Sequence, residues 1–145
     1  MPIKVRSHKT HREETVAEHG TFLWNELETP DQKTAGEFYS RLLGWTRREI
    51  DAGPFGTYTL FQHDGKDVAG MMNPTTDYSR SRSPAWNAYV AVDDVDSCAS
   101  RVAQLGGRLI VPPHDVPDVG RVCMLADPTG AVILLMTPVA VPTPA

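Results

Sequence analysis

A chain that carries one structural plan twice is confined to few folds, and this chain repeats its plan. From Thr21 the order is strand, acidic cap, apolar helical stripe, glycine stop and hairpin strands; near Trp86 the same order begins again. At a constant offset Trp24 falls on Asn87, Asp31 on Asp94, Leu42 on Leu105 and Gly44 on Gly107. Gly56 then falls on Gly120 and Gly65 on Gly130 after a slight drift, which small hairpin insertions explain. A duplication of this length implies two modules that bury their apolar faces jointly.

Each copy can be read residue by residue. Alternation over Phe22 to Thr29 predicts a strand, with Leu23 and Leu27 on one face and Trp24, Glu26 and Glu28 on the other. Thr29 or Asp31 caps the following helix, whose stripe is Ala35, Phe38, Tyr39, Leu42 and Leu43. Gly44 ends it in a left-handed conformation. Trp45 to Ile50, Tyr58 to Gln62 and Val68 to Met72 are the next strands, the last two joined at Asp64-Gly65. Residues 73–85 read as a polar linker. The second copy runs through a strand at Asn87 to Val92 and a helix capped by Asp93 or Asp94. Strands follow at Arg108 to Val111, Arg121 to Leu125 and Ala131 to Met136. Pro112 to Val119 reads as a proline-rich loop, in which a solvated His114 outweighs a lid role.

The domain organisation expected is an N-terminal arm at 1–19, one domain at 20–138 made of modules 20–73 and 86–138, and a tail at 139–145. Hydrophobic residues are 41% of the 145 and charged residues 22%, an ordinary globular balance. A net charge of −4 argues against nucleic acid, which calls for a basic patch. No apolar run approaches the ~20 residues that span a bilayer, and the N-terminus has no signal-peptide core. These features point to a cytoplasmic protein with no membrane partner. Cys98 and Cys123 read as buried free thiols, with a disulfide between them left open. His8 and His11 sit in the arm, where a solvated tail outweighs a metal site.

The chain resembles the vicinal oxygen chelate superfamily, which includes glyoxalase I, bleomycin-resistance proteins and extradiol dioxygenases. The resemblance rests on Thr29-Pro30-Asp31, Glu37-Phe38-Tyr39 and Leu43-Gly44-Trp45 in the first copy. In the second it rests on Val92 to Asp96, Leu105-Gly106-Gly107, Val119-Gly120-Arg121 and Asp127 to Ala131. Trp24-x-Glu26-Leu27 brings it nearest to a glyoxalase-like branch. The resemblance implies an α+β fold of two tandem βαβββ modules, forming a cupped mixed sheet with helices outside, and a homodimer. Metal enzymes of the family place His, Gln or Glu at four cup positions. Those positions fall here on Trp24, Asn87, Leu134 and either Gly70 or Ala69, of which only Asn87 offers even a weak donor. The expectation is a cup with no metal and no cofactor.

The cup then offers a small-molecule site. Its expected lining is Trp24, Tyr58, Met72, Asn87, Tyr89, Leu134 and Met136, with Arg121 as either an anion hook or a structural ion pair. Glu26 is the chemical candidate. Desolvation in such a cup would raise its pKa toward a general acid or base; the alternatives are a salt-bridged or a rim carboxylate. Three functions follow: a metal-independent small-molecule binder, a lyase or isomerase using Glu26 as base, or an antibiotic-sequestering resistance protein.

Overall fold

The computed structural model describes residues 17–139; His8, His11, most of the expected arm and the end of the tail lie outside them. The described residues form two compact units. One is Trp24–Asn87, and the other combines the residues before Trp24 with those from Ala88 onward.

In the first unit, β1 (Phe22–Glu28) leads into α1 (Gln32–Leu43), then β2 (Thr46–Asp51), β3 (Thr57–His63) and β4 (Lys66–Met72). The strand order is β2-β3-β4-β1, antiparallel except for the parallel β1–β4 pair. Parity decides the faces, because successive side chains on a strand point opposite ways. Leu27, Phe61, Ala69 and Met71 form one buried cluster, against which Ala35 and Tyr39 of α1 pack. Trp24, Glu26, Glu28, Tyr58 and Leu60 have the other parity and are also buried. Asp31 is the helix cap, its carboxylate accepting from Thr34 N at 3.1 Å, and Gly44 closes the helix at φ 74°.

The expected stripe on α1 is narrower than its spacing suggests. Phe38, Leu42 and Leu43 are exposed. The helix instead turns Gly36 inward, where a Cβ would stand 2.5 Å from Arg47 Nη1. A long arginine stem takes the space that a larger stripe would fill. The linker expected at 73–85 also contains a short helix, α2 (Asp77–Ser81), capped by the Thr76 hydroxyl.

The second unit repeats the plan. It holds β5 (Ala85–Ala91), which begins in the first unit, α3 (Val95–Arg101), β6 (Arg108–Val116), β7 (Gly120–Ala126) and β8 (Val132–Pro138). The order is β5-β8-β7-β6, with β5 and β8 parallel. Val92, Val95 and Cys123 make its cluster, joined by Cys98, Ala99, Leu125 and Leu135. Both cysteines are free thiols, and burial pushes Cys123 up to about 11. The fold is thus α+β, two tandem modules of one helix packed on four strands. No helix among the described residues is long and apolar enough to cross a membrane.

One expectation is overturned here. The proline-rich segment is no loop: β6 runs through Pro112 and Pro113 to Val116, and His114 pairs with Val122 instead of sitting in a lid. The register slips between Leu109 and Val111 and again between Val111 and His114. Bulges and an end strand are where a sheet tolerates residues that lack an N–H.

Asp127 closes the β7–β8 hairpin by accepting from Thr129 N at 2.8 Å, Thr129 Oγ1 at 2.6 Å and Ala131 N at 3.2 Å. These hydrogen bonds, those of Thr129 foremost, hold its carboxyl below the usual carboxylate range. Asp31 is lowered in the same way by Thr34. A depressed folded pKa stabilises above the unfolded value and is lost as pH falls through the folded one. The melting temperature should therefore hold above about pH 4 and drop below it. Asp127→Ala should flatten that drop; an unchanged acid slope would assign it to other carboxylates.

Candidate functional site

The first unit concentrates its buried polar groups on the β1 face opposite α1. Trp24, Glu26 and Glu28 alternate along one strand, so all three reach that face together. The indole Nε1 of Trp24 donates to the Tyr58 hydroxyl at 2.9 Å, and that hydroxyl donates to Glu26 Oε2 at 2.7 Å. Glu26 is only 2% exposed. Gly70 makes this chain possible. It pairs with Glu26 on one side and Leu60 on the other, and a Cβ there would stand 1.7 Å from the Tyr58 hydroxyl.

A second polar group lies along the same face. Asn87 Nδ2 donates to Glu28 Oε1 at 2.6 Å. Arg82 Nη2 donates to the same oxygen at 3.0 Å and to Asn87 Oδ1 at 2.8 Å. The triad is closed on itself, which is what buried charge requires. Sequence reasoning missed Arg82, which falls in the segment 73–85 that reads as a polar linker. The available signal was Glu28, whose parity matched that of Glu26: a second carboxylate on a buried face calls for a cation.

The other expected residues divide by unit. Met72 is half-buried and pairs with Glu28 in register. Tyr89 and Leu134 are paired neighbours on β5 and β8 and are buried, as is Met136. Arg121 does not join them. It shares parity with Cys123 and Leu125, on the α3 side, and its guanidinium donates to Asp96 at 2.7 and 3.0 Å and to Asp115 at 3.2 Å. The Arg121 hydrogen bonds hold the Asp96 carboxyl below its usual range and raise Arg121 itself. Of the two roles the sequence left open, the structure gives Arg121 the ion pair. His63 is exposed beside Asp64 at the hairpin tip.

A divalent metal does not fit the positions that the superfamily's metal enzymes use. Trp24 and Leu134 have no donor that suits such an ion. Asn87 is committed to Glu28 and Arg82. On β4, Ala69 offers only a methyl group, and Gly70 has no side chain, with the Tyr58 ring filling the space one would need. Among the described residues, no group of three or more His, Cys, Asp or Glu side chains is placed to hold a metal.

The model of the Glyoxalase/Bleomycin resistance protein/Dioxygenase superfamily matches residues 21–135. The chain belongs to that superfamily. "Putative glyoxylase CFP32" of Mycobacterium tuberculosis is 36% identical over 115 residues, covering 79% of this chain and 44% of the relative. Anthracycline biosynthesis protein DnrV of Streptomyces peucetius is 37% identical over 123 residues, covering 77% and 45%. The chain thus spans less than half the length of these curated relatives. Among solved structures, methylmalonyl-CoA epimerase from Mycobacterium tuberculosis superposes with a TM-score of 0.56 at 21% identity, over 83% of this chain and 88% of that one. At that identity the likeness speaks for the fold alone.

Proposed function

We propose that this superfamily member binds a small amphipathic molecule without a metal ion, against the first unit's face that carries Trp24, Tyr58 and Glu26. One observation carries the reading: Trp24, a metal-ligand position in the family's enzymes, is tied through Tyr58 to a buried carboxylate. An indole, a phenol and a carboxylate joined in this way offer an aromatic wall with fixed polar points, the usual make-up of a small-molecule pocket. The relative DnrV, described as an anthracycline biosynthesis protein, supports an aromatic ligand class. Sequestration of an antibiotic is one form the binding takes.

The test is native mass spectrometry of the EDTA-treated protein against a library of aromatic metabolites, with Trp24→Ala beside the wild type. Retention of a ligand by the wild type and its loss in the variant is expected. Binding that appears only after a divalent ion is restored would overturn the reading.

A second reading, a lyase or isomerase with Glu26 as base, is favoured by the burial of that carboxylate and its Tyr58 donor at 2.7 Å. It predicts that solvent deuterium enters a bound ligand beside its carbonyl and that Glu26→Gln stops the exchange. Exchange at equal rates in both proteins would remove Glu26 from that role.

A further inference from the structure

We infer that the cavity beside α2 is an anion subsite, in which Arg82 and Arg80 hold a carboxylate or phosphate group of the bound molecule. This rests on the reading above, because Arg82 joins the cavity to Glu28 and Asn87 on the ligand-facing side of β1 and β5. The cavity is open, with a volume of about 310 Å³, and is lined by three prolines, Asn73, Ser79 and the two arginines. Among the described residues, no acidic side chain lines it. Its size is near the lower end of the ~300–1,000 Å³ of ligand pockets, enough for one head group or ring.

Arg82 is built for the task in a way Arg121 is not. Its hydrogen bonds to Glu28 and Asn87 both leave from Nη2. Its Nε and Nη1 have no protein hydrogen-bond partner among the described residues. The side chain is 17% exposed, and its guanidinium sits 5.1 Å from the centre of the Tyr78 ring. Nη2 is therefore anchored, while Nε and Nη1 keep donors on a side chain that lines the cavity. Each of these donors can make a charge-assisted hydrogen bond to one oxygen of a carboxylate or phosphate. Because the side chain is already held by three contacts, an arriving anion pays little to order it. Glu28 balances the Arg82 charge from the far side, so the pair turns its positive end outward. Arg80 adds a second charge, paired among the described residues with exposed Asp77 at 3.8 Å.

The experiment follows the Arg82 Nε–Hε signal by NMR in the full chain, titrated with sodium benzoate, inorganic phosphate or neutral benzamide. A saturable shift with benzoate or phosphate and none with benzamide is expected, and the stronger of the two anions identifies the group. Arg82→Lys keeps the charge but loses the separate Nε and Nη1 donors and should weaken anion binding about tenfold or more. Glu28→Gln/Arg82→Gln removes both charges together, which protects folding, and should abolish it. No shift in the wild type, or equal anion binding in the double variant, overturns the subsite. If library ligands still perturb the Trp24 indole in that case, the binding proposal stands without it. A benzoate response at Arg82 with no ligand found at Trp24 upholds the subsite and removes that proposal.

Discussion

Gly70→Ala should destabilise the protein by about 3 kcal/mol, at the upper end for forcing extra volume into a packed site. The cause is space, not backbone conformation. The new Cβ would stand 1.7 Å from the Tyr58 hydroxyl, 2.3 Å from Cζ and 2.8 Å from Cε1. None of these distances can be absorbed by a small shift, so the ring must leave. When it leaves, Glu26 loses the Tyr58 donor and the Trp24 indole loses its acceptor. Tyr58→Phe loses the same hydrogen bonds but keeps the ring, so it should cost less, roughly 1–3 kcal/mol. Urea unfolding of both variants gives the order. A Gly70→Ala protein more stable than Tyr58→Phe would show that the ring has somewhere else to go. Tyr58→Phe/Gly70→Ala should not recover stability, because Cζ remains in the way.

The duplicated plan was legible because it is written in parity and caps. Leu27 and Trp24 lie on opposite faces as the alternation requires, and Asp31, Gly44 and Asp94 cap and close helices where their chemistry predicts. Such signals are local. The failures are non-local. Phe38 and Leu42 have helical spacing, but the helix buries Gly36, beside Arg47 of a neighbouring strand, and leaves them exposed. Pro112 and Pro113 read as loop because proline removes an N–H, yet β6 ends the strand order of its unit and slips its register there, so the missing donors cost little. Arg82 was invisible for the same reason as Arg47. Its role comes from Glu28, far away in the chain, and nothing in residues 73–85 announces it.

That pairing of Arg82 with Glu28 leads to the other large effect. Arg82→Met should destabilise by about 3–5 kcal/mol, the cost of leaving a buried charge without its partner. Side-chain exposures of 17% for Arg82 and 7% for Glu28 keep water from replacing the lost cation fully. The cost belongs to the orphaned carboxylate and not to the worth of the bridge, and a double variant separates the two. Glu28→Leu/Arg82→Met removes both charges, so most of the loss should return. It should not all return, because Asn87 loses the acceptor of its Nδ2 at 2.6 Å and the donor to its Oδ1 at 2.8 Å. A buried amide stripped in this way costs roughly 1–3 kcal/mol. The cycle should therefore show a coupling of a few kcal/mol between positions 28 and 82, with a remainder traceable to Asn87. Losses that simply add would mean that Glu28 finds water once Arg82 is gone. Strong coupling would mean that the connector carrying α2 is held to the sheet by charge, although its sequence looks like a solvated loop.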